Sequence, residues 1–135
     1  MDDDQRRAAN QARFTTVLQT VSAGEFERLG ESMTEDLVFE LPYGPAFIPN
    51  PILGLEAWNQ MQLMTFALFD SFALELVELH ACLDPDELIA EYRSHAVVKR
   101  NGNAYDNRYI GVLRFRDGKI SHWREFHNPQ ATDVL

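Results

Sequence analysis

The chain has 135 residues, 45% of them hydrophobic and 24% charged, which is typical of one globular domain over residues 1 to 135. Residues 1 to 5 are expected to form a disordered acidic tail. Twelve basic against 21 acidic side chains give a formal net charge of -9, which disfavours contact with nucleic acid or with an anionic membrane. The single cysteine, Cys82, excludes an internal disulfide and indicates a reducing compartment, so a cytoplasmic protein is expected.

Helical periodicity dominates the first half of the chain. A first helix from about residue 4 to residue 23 is predicted by apolar side chains at helical spacing, namely Phe14, Val17, Leu18 and Val21. GEFERLGESM predicts a short second helix, and EDLVFEL predicts a short strand after it. The loop PYGPAFIPNPILG, with four prolines and two glycines, separates this strand from a third helix that runs from about residue 55 to residue 69.

Long strands separated by turn sequences follow from Phe72 onward. LDPDE, RNGN and RDGK supply pairs that favour turns and tight hairpins, which predicts a meander of about four antiparallel strands. Helices ahead of such a sheet indicate an α+β domain whose helices cover one concave face, a shape that can hold a small molecule. The most apolar stretch, LMTFALFDSFALELV, carries Asp70 and Glu75 and is too short for a membrane span.

The last predicted strand, in GKISHWREFHNP, poses the main question about function. Strict alternation places on one face Ser121, Trp123, Glu125 and His127. It places on the other face Ile120, His122, Arg124 and Phe126. If the first face points inward, the carboxylate of Glu125 lies between Trp123 and His127, away from bulk water.

The chain resembles a known family over nearly its whole length. The stretches that carry the likeness are SAGEFERLGESMTEDLVFELP, the proline loop ending in ILG, and AYDNRYIGVLRFRDGKISHWREFHNP. They resemble the SnoaL-like branch of the nuclear-transport-factor-2-like, ketosteroid-isomerase-like superfamily, and the last stretch is similar to the PhzA/PhzB phenazine-biosynthesis proteins. The superfamily includes isomerases, polyketide cyclases, epoxide hydrolases, dehydratases and noncatalytic subunits, so the fold alone does not name the reaction.

The resemblance implies both a shape and the position of an acid/base group. The shape is a conical barrel, a cystatin-like α+β roll in which N-terminal helices cover the concave face of a strongly curved antiparallel sheet, usually as a homodimer. Glu125 matches the family's acid/base carboxylate. Burial among Trp123, Tyr109 and Phe115 would raise the pKa of Glu125 and let it transfer a proton near neutral pH. The alternative is an ion-paired or solvent-facing glutamate.

Three further side chains are candidates for assisting Glu125 in catalysis. Arg93 and His95 are two residues apart on one strand and therefore share a face. An inward Arg93 would lower the pKa of Glu125, whereas an outward Arg93 would leave Glu125 able to act as an acid. His95 and His127 can exchange protons near neutral pH, and with Glu125 they could form a proton relay or a metal site. No tight ligand spacing is present, so no metal is expected.

Seven side chains are candidates for binding a substrate, namely Tyr109, Asn107, Trp123, Glu40, Leu113, Trp58 and Met61. Tyr109 and Asn107 could orient a carbonyl or hydroxyl group, and the apolar members would form the cavity wall. Glu40 lies near the place of the proton-shuttling aspartate of ketosteroid-isomerase relatives, but alternation leaves its direction open. True steroid isomerisation is rejected, because Val17 and Gly111 match that site's tyrosine and aspartic acid and neither can donate a proton.

Two functions remain. The first is a cofactor-independent general acid/base enzyme of isomerase, cyclase or hydratase/dehydratase type, which acts on a small, largely apolar cyclic or oxygenated metabolite. The alternative is a noncatalytic module of the same fold that binds a small ligand or dimerises. No glycine-rich phosphate loop and no G-x-S-x-G motif occurs, so no nucleotide cofactor is expected. The expected partners are a small-molecule ligand and a second copy of the chain.

Overall fold

The computed structural model describes residues 1 to 135 and contains two α-helices, six strands and two 3-10 helices. The α-helices are α1 (Asp3–Ser22) and α2 (Leu55–Phe66), and the 3-10 helices cover Phe26–Glu31 and Pro129–Val134. The strands are β1 (Met33–Glu40), β2 (Ile52–Leu53), β3 (Phe69–Ala81), β4 (Glu87–Val98), β5 (Ala104–Arg116) and β6 (Lys119–His127). Neither α-helix combines the length and the hydropathy that a membrane crossing requires.

All six strands belong to one sheet, in the order β2-β1-β6-β5-β4-β3. The four strands β3 to β6 form the predicted antiparallel meander. The remaining contact of β6 is parallel and joins it to β1, which places β6 in the interior of the sheet. Helix α1 packs on β3 and β6, and α2 packs on β1, β2 and β3. The α+β class, with helices on one face of a mostly antiparallel curled sheet, is therefore confirmed.

The first helix begins earlier than the sequence pattern indicated. Asp2 is its N-cap, and the Asp2 carboxylate accepts a hydrogen bond from the Gln5 amide at 2.8 Å while the Gln5 side chain accepts one from the Asp2 amide at 2.9 Å. Such a capping box satisfies two backbone donors that the helix itself leaves free, and the acidic Asp3 and Asp4 suit the positive end of the helix. Residues 3 to 5, expected in a disordered tail, therefore form the first turn of α1.

The alternation along β6 is interrupted by a bulge near Ser121. Arg114 of β5 pairs with His122 and Phe115 pairs with Ile120, so Ser121 of β6 has no pairing partner on β5. As a result Ile120 is completely buried on the same side as Trp123. The prediction that Ile120 faces away from Trp123 is wrong, because strict alternation does not continue through a bulge.

The core between helices and sheet is rich in aromatic side chains around Trp123. The ring of Trp123 lies 5.5 Å from that of Phe14, 5.4 Å from that of Phe39 and 5.9 Å from that of Trp58, measured between ring centroids. These rings come from α1, β1 and α2, so all three elements meet over β6. Offset and edge-to-face contacts of this kind add about 0.5–1.5 kcal/mol each to the gain from burial.

The bulge leads to a comparison of two neighbouring positions on β6. We expect Ile120→Ala to lower the free energy of unfolding by roughly 2–5 kcal/mol, because it opens a cavity in the core. His122→Ala should lower it by less than about 1 kcal/mol, since His122 forms a half-exposed pair with Glu40. Urea unfolding of both variants measures the difference. Equal losses at the two positions would show that Ile120 does not face the core.

Candidate active site

Glu125 lies on β6 directly opposite Gly111 of β5. Its Oε1 accepts a hydrogen bond of 2.5 Å from the hydroxyl of Tyr92, which comes from β4, the strand on the far side of β5. Tyr92 is almost completely buried, at 1% exposure. The Tyr92 side chain therefore extends across β5 to reach the carboxylate.

Gly111 makes this crossing possible. A Cβ atom at this position would lie 3.2 Å from Cε1 of Tyr92, 3.3 Å from its hydroxyl oxygen and 3.0 Å from Nε1 of Trp123. Any larger side chain at Gly111 would therefore push into the two groups that approach Glu125. The same Trp123 Nε1 donates a hydrogen bond of 3.1 Å to the Tyr92 hydroxyl, so Trp123, Tyr92 and Glu125 form a continuous chain of hydrogen bonds.

The surroundings of Glu125 raise its pKa to about 7 from an ordinary value of 4.5, mainly because burial disfavours the charged carboxylate. The hydrogen bond from Tyr92 acts in the opposite direction and lowers the pKa. The other carboxylate oxygen, Oε2, has no hydrogen-bond partner within the protein. It keeps some solvent-accessible surface. The carboxyl group thus has one fixed oxygen and one free oxygen.

His127, two residues beyond Glu125, shares this face of β6 and is half-buried. Its Nδ1 is buried without a hydrogen-bond partner. Desolvation lowers the pKa of the imidazole below its usual 6.5, so the neutral form predominates at pH 7. His127 is the one histidine of the chain that lies on the Glu125 side of the sheet.

Tyr109 and Asn107 lie on the inner face of β5, but protein groups engage their polar atoms. The Tyr109 hydroxyl donates to Ser94 Oγ at 2.9 Å. The Asn107 amide nitrogen donates to the Tyr105 hydroxyl at 2.7 Å and to the Asn128 carbonyl at 3.0 Å. Burial raises the pKa of Tyr109 well above its ordinary value, so this hydroxyl stays protonated. Both residues shape the wall of the site and have little spare hydrogen-bonding capacity in this arrangement.

Arg93 and His95 are not brought to Glu125, because both lie on the opposite face of β4. Two nitrogens of Arg93 each donate to the carboxylate of Glu75 at 3.1 Å, and His95 contacts Glu75 at 3.2 Å and Asp106 at 3.1 Å. The expected convergence of Arg93 and His95 with Glu125 is thus contradicted. With Arg93 directed outward, no cation offsets the effect of burial on the Glu125 carboxyl.

Glu40 also lies on the outer face, although it was expected to bind a substrate. Its carboxylate contacts His122 Nε2 at 2.7 Å and Arg124 at 3.9 Å. Phe39 takes the inward position on β1, since it is buried against Trp123. A parallel register with β6 sets this choice, by placing Glu40 beside Arg124.

The apolar residues expected in the cavity wall are all on the inner side. Leu113, Trp58 and Trp123 are 1 to 2% exposed, and the half-buried Met61 packs against them at the edge of the core. Tyr92 is the residue that sequence reasoning underrated, since the sequence alone makes it only a weak prospect for binding a substrate. The alternation along β4 could have indicated that Tyr92 points inward. Every second residue of this strand is buried, namely Leu88, Ala90, Tyr92, Ser94, Ala96 and Val98.

Two other features lie away from Glu125. Glu78, His80 and Glu91 place their ligand-type atoms within 4.8 Å of one another at the exposed edge of the sheet. A surface depression of about 490 Å³ is lined by Ala67, Leu68, Val98, Lys99, Arg100 and Leu135. Neither feature includes a residue that bonds to Glu125, Tyr92 or Trp123.

Comparison with known proteins identifies the family. The profile of the SnoaL-like domain matches residues 13–123, so the chain belongs to the SnoaL-like family. The match ends two residues before Glu125, and the case for that residue therefore rests on the geometry described above.

Individual relatives agree with this assignment. The chain is 36% identical over 93 residues to the uncharacterized PhzA/B-like protein PA3332 of Pseudomonas aeruginosa, a match covering 68% of this chain and 64% of the relative. A Bacillus subtilis structure named as a candidate isomerase shares the fold with a TM-score of 0.82 at 24% identity, covering 99% of this chain and 94% of the other. IdmH of Streptomyces antibioticus, named as a candidate polyketide cyclase, gives a TM-score of 0.79 at 18% identity, with coverage of 93% and 96%. Both structural likenesses establish the fold.

The buried carboxyl makes stability depend on pH. The folded chain holds the Glu125 proton up to about pH 7, whereas the unfolded chain loses it near 4.5, so the free energy of unfolding falls as pH rises between these values. Glu125→Gln removes this dependence and keeps an acceptor for Tyr92. Above about pH 8 we therefore expect Glu125→Gln to be more stable than the unaltered chain by up to roughly 3 kcal/mol, with little gain at about pH 5.

Urea unfolding at both pH values measures this gain. Glu27→Gln, at an exposed position with no side-chain partner, is the matched control and should show no such pH-dependent gain. If Glu125→Gln and the unaltered chain had the same stability at every pH, the carboxyl would be hydrated and the prediction would be wrong.

Proposed function

We propose that this protein is a cofactor-independent proton-transfer enzyme of the isomerase or cyclase type. Its substrate would be a small, largely apolar, cyclic or oxygenated metabolite. The observation that carries the proposal is the Glu125 carboxyl, which has one oxygen held by Tyr92, the other free, and a pKa of about 7. An acid/base group is most effective when its pKa lies near the working pH, because both protonation states are then available.

The reaction needs only this one carboxyl to move a proton. Ionised Glu125 takes a proton from a carbon next to a carbonyl group, so that a C–H bond breaks, an O–H bond forms on Oε2 and the electron pair passes to the carbonyl oxygen as an enolate. If a double bond lies next to that carbon, the enolate is a conjugated dienolate, and return of the same proton to its far carbon gives an isomer. Alternatively, attack of the enolate carbon on a second carbonyl of the same molecule closes a ring, and the new alkoxide oxygen takes the proton from Oε2. Neither route changes the oxidation state of the substrate, and Glu125 regains its starting form after the proton is passed on.

Other inner residues would support binding and proton transfer. Leu113, Trp58, Trp123 and Met61 supply the apolar wall that a largely apolar substrate needs. His127 is a second group able to take up a proton near this face, and its buried Nδ1 has no partner in the protein. We propose these roles from position, together with a wall role for Tyr109 and Asn107.

The names of structural relatives are compatible with this reaction class. One bears the name of a candidate isomerase and another that of a candidate polyketide cyclase, and both reactions can proceed by proton transfer at carbon. The same fold also supports other functions, so the proposal depends on the carboxyl and not on the likeness.

A second candidate function is a noncatalytic module that binds a ligand through the same fold. The observation in its favour is the dense aromatic packing of Phe14, Phe39, Trp58 and Trp123 on the inner side of β6. Rings packed this closely leave little room for a substrate to approach Glu125, so this observation favours dimerisation, or ligand binding without access to the carboxyl. The two candidates differ in whether a bound molecule exchanges a proton with Glu125.

Proton exchange at carbon provides the test. In heavy water, a panel of small cyclic ketones and diketones is incubated with the protein, and proton NMR follows the loss of signals next to the carbonyl groups. We expect Glu125→Gln to reduce the exchange rate by about 100-fold or more, while binding of the same compound persists. Glu27→Gln, far from the site, should exchange at the normal rate.

The outcomes separate the two candidates. Exchange that is unaffected by Glu125→Gln would overturn the enzymatic proposal. A panel compound that binds with no exchange above the rate in buffer would support the binding module instead.

We also propose that the chain forms a homodimer in a reducing cellular compartment. The resemblance to a usually dimeric family supports the dimer, and a second copy would cover Ile110 and Val97, which are 45% and 38% exposed on the outer face of the sheet. The free thiol of Cys82 suits reducing conditions. Sedimentation should give a dimer that Ile110→Lys converts to a monomer, with Lys99→Ala as a surface control. A monomer at all concentrations would contradict the proposal.

A further inference from the structure

The hydrogen-bond chain at Glu125 has a fixed direction. An indole N–H can only donate, so the Tyr92 oxygen must accept the bond from Trp123 at 3.1 Å. The single hydroxyl hydrogen of Tyr92 is then directed to Oε1 of Glu125 at 2.5 Å. The Tyr92 hydroxyl has no other partner among the side chains or the backbone.

This direction constrains where Glu125 can carry its own proton. A proton on Oε1 would point at the Tyr92 hydroxyl, which would have to turn its hydrogen away from Glu125. No second acceptor lies near Tyr92, so that hydrogen would be buried without a partner, at a free-energy cost comparable to a lost hydrogen bond. A proton on Oε2 leaves every hydrogen bond of the chain intact, because Oε1 then serves as the carbonyl oxygen that accepts from Tyr92.

We propose that Trp123 and Tyr92 are positioning residues that keep the exchangeable proton of Glu125 on Oε2. Oε2 is the oxygen with no partner in the protein and with some accessible surface. Insofar as it concerns a reaction, this inference rests on the proposed function. Removal and return of a proton through one oxygen would then take place on a single face of the substrate.

No charged side chain lies close enough to Glu125 to change which of its oxygens carries the proton. The titratable side chains that face Glu125 are Tyr92 on β4, Tyr109 on β5 and His127 on β6. The other packed elements, α1, β1 and α2, present the uncharged rings of Phe14, Phe39 and Trp58. Tyr92 has a pKa raised well above its ordinary value, so it retains the hydrogen that it donates at any working pH.

Infrared difference spectroscopy between about pH 5 and about pH 9 tests where the proton lies, without any substrate. The C=O stretch of a protonated carboxyl falls in wavenumber when its carbonyl oxygen accepts a hydrogen bond, and the band absent from Glu125→Gln identifies Glu125. We expect this band to shift to higher wavenumber in Tyr92→Phe, which removes only the hydroxyl. Trp123→Phe should broaden the band or shift it part of the way, because the Tyr92 hydroxyl is then free to turn.

Tyr109→Phe is the matched control, since its hydroxyl bonds to Ser94 and not to Glu125. The band should stay in place in that variant. The pH at which the band disappears should rise by about one unit in Tyr92→Phe, because the ionised carboxylate loses its donor. A packing change that admitted water would lower this midpoint, because burial is what raises it, so a rise identifies the lost donor. Tyr92→Phe and Tyr109→Phe decide the question even if Trp123→Phe does not fold.

The inference is overturned if Tyr92→Phe leaves both the band position and its midpoint unchanged. Its failure is distinct from failure of the proposed function. A shifted band together with carbon exchange that is independent of Glu125 would uphold the proton placement and reject the enzyme. An unshifted band with exchange that requires Glu125 would do the reverse.

Discussion

The burial of one carboxyl group in aromatic surroundings is the constraint on which the rest of this site depends. Glu125 loses hydration, and the one hydrogen bond within the protein that compensates this loss comes from Tyr92. Neutral donors stabilise a carboxylate less than a cation would, so burial has the larger effect and the pKa rises. Had Arg93 faced inward, the same carboxyl would be a permanently charged partner of an ion pair.

The topology of the sheet explains why this carboxyl is enclosed at all. β6 has a strand on each side, β1 in parallel and β5 antiparallel, so it lies in the interior of the sheet. Through Trp123 its inner face contacts both α1 and α2. The bulge near Ser121 lets β6 bury Ile120 and then Trp123 on the same side. Gly111 then opens the adjacent strand to the Tyr92 side chain. Together these features place one acid beside one phenol.

The sequence predicted the coarse fold because hydrophobic periodicity reports local burial well. The stripe along α1 and the Asn-Gly and Asp-Gly turns of the meander led to elements that the structure contains. The sequence did not predict the parallel pairing of β1 with β6, because pairing between distant segments leaves no local sequence pattern. The outward direction of Glu40 follows from that pairing, whereas the outward direction of Arg93 was readable from the alternation along β4. Tyr92 was underrated for a related reason: its partner stands 33 residues away along the chain.

A purely structural role for Glu125 is difficult to reconcile with these contacts. Glutamine would accept the same hydrogen bond from Tyr92 without the loss of hydration that a carboxylate suffers, and it would fill almost the same volume. A buried carboxyl without a cation therefore costs stability that a neutral side chain would not cost. Groups that lower stability in this way are found mainly where they perform chemistry, because function is what offsets their cost. In the proposed reaction the free Oε2 of the half-buried Glu125 is the oxygen that would exchange a proton with a molecule on the inner face of β6.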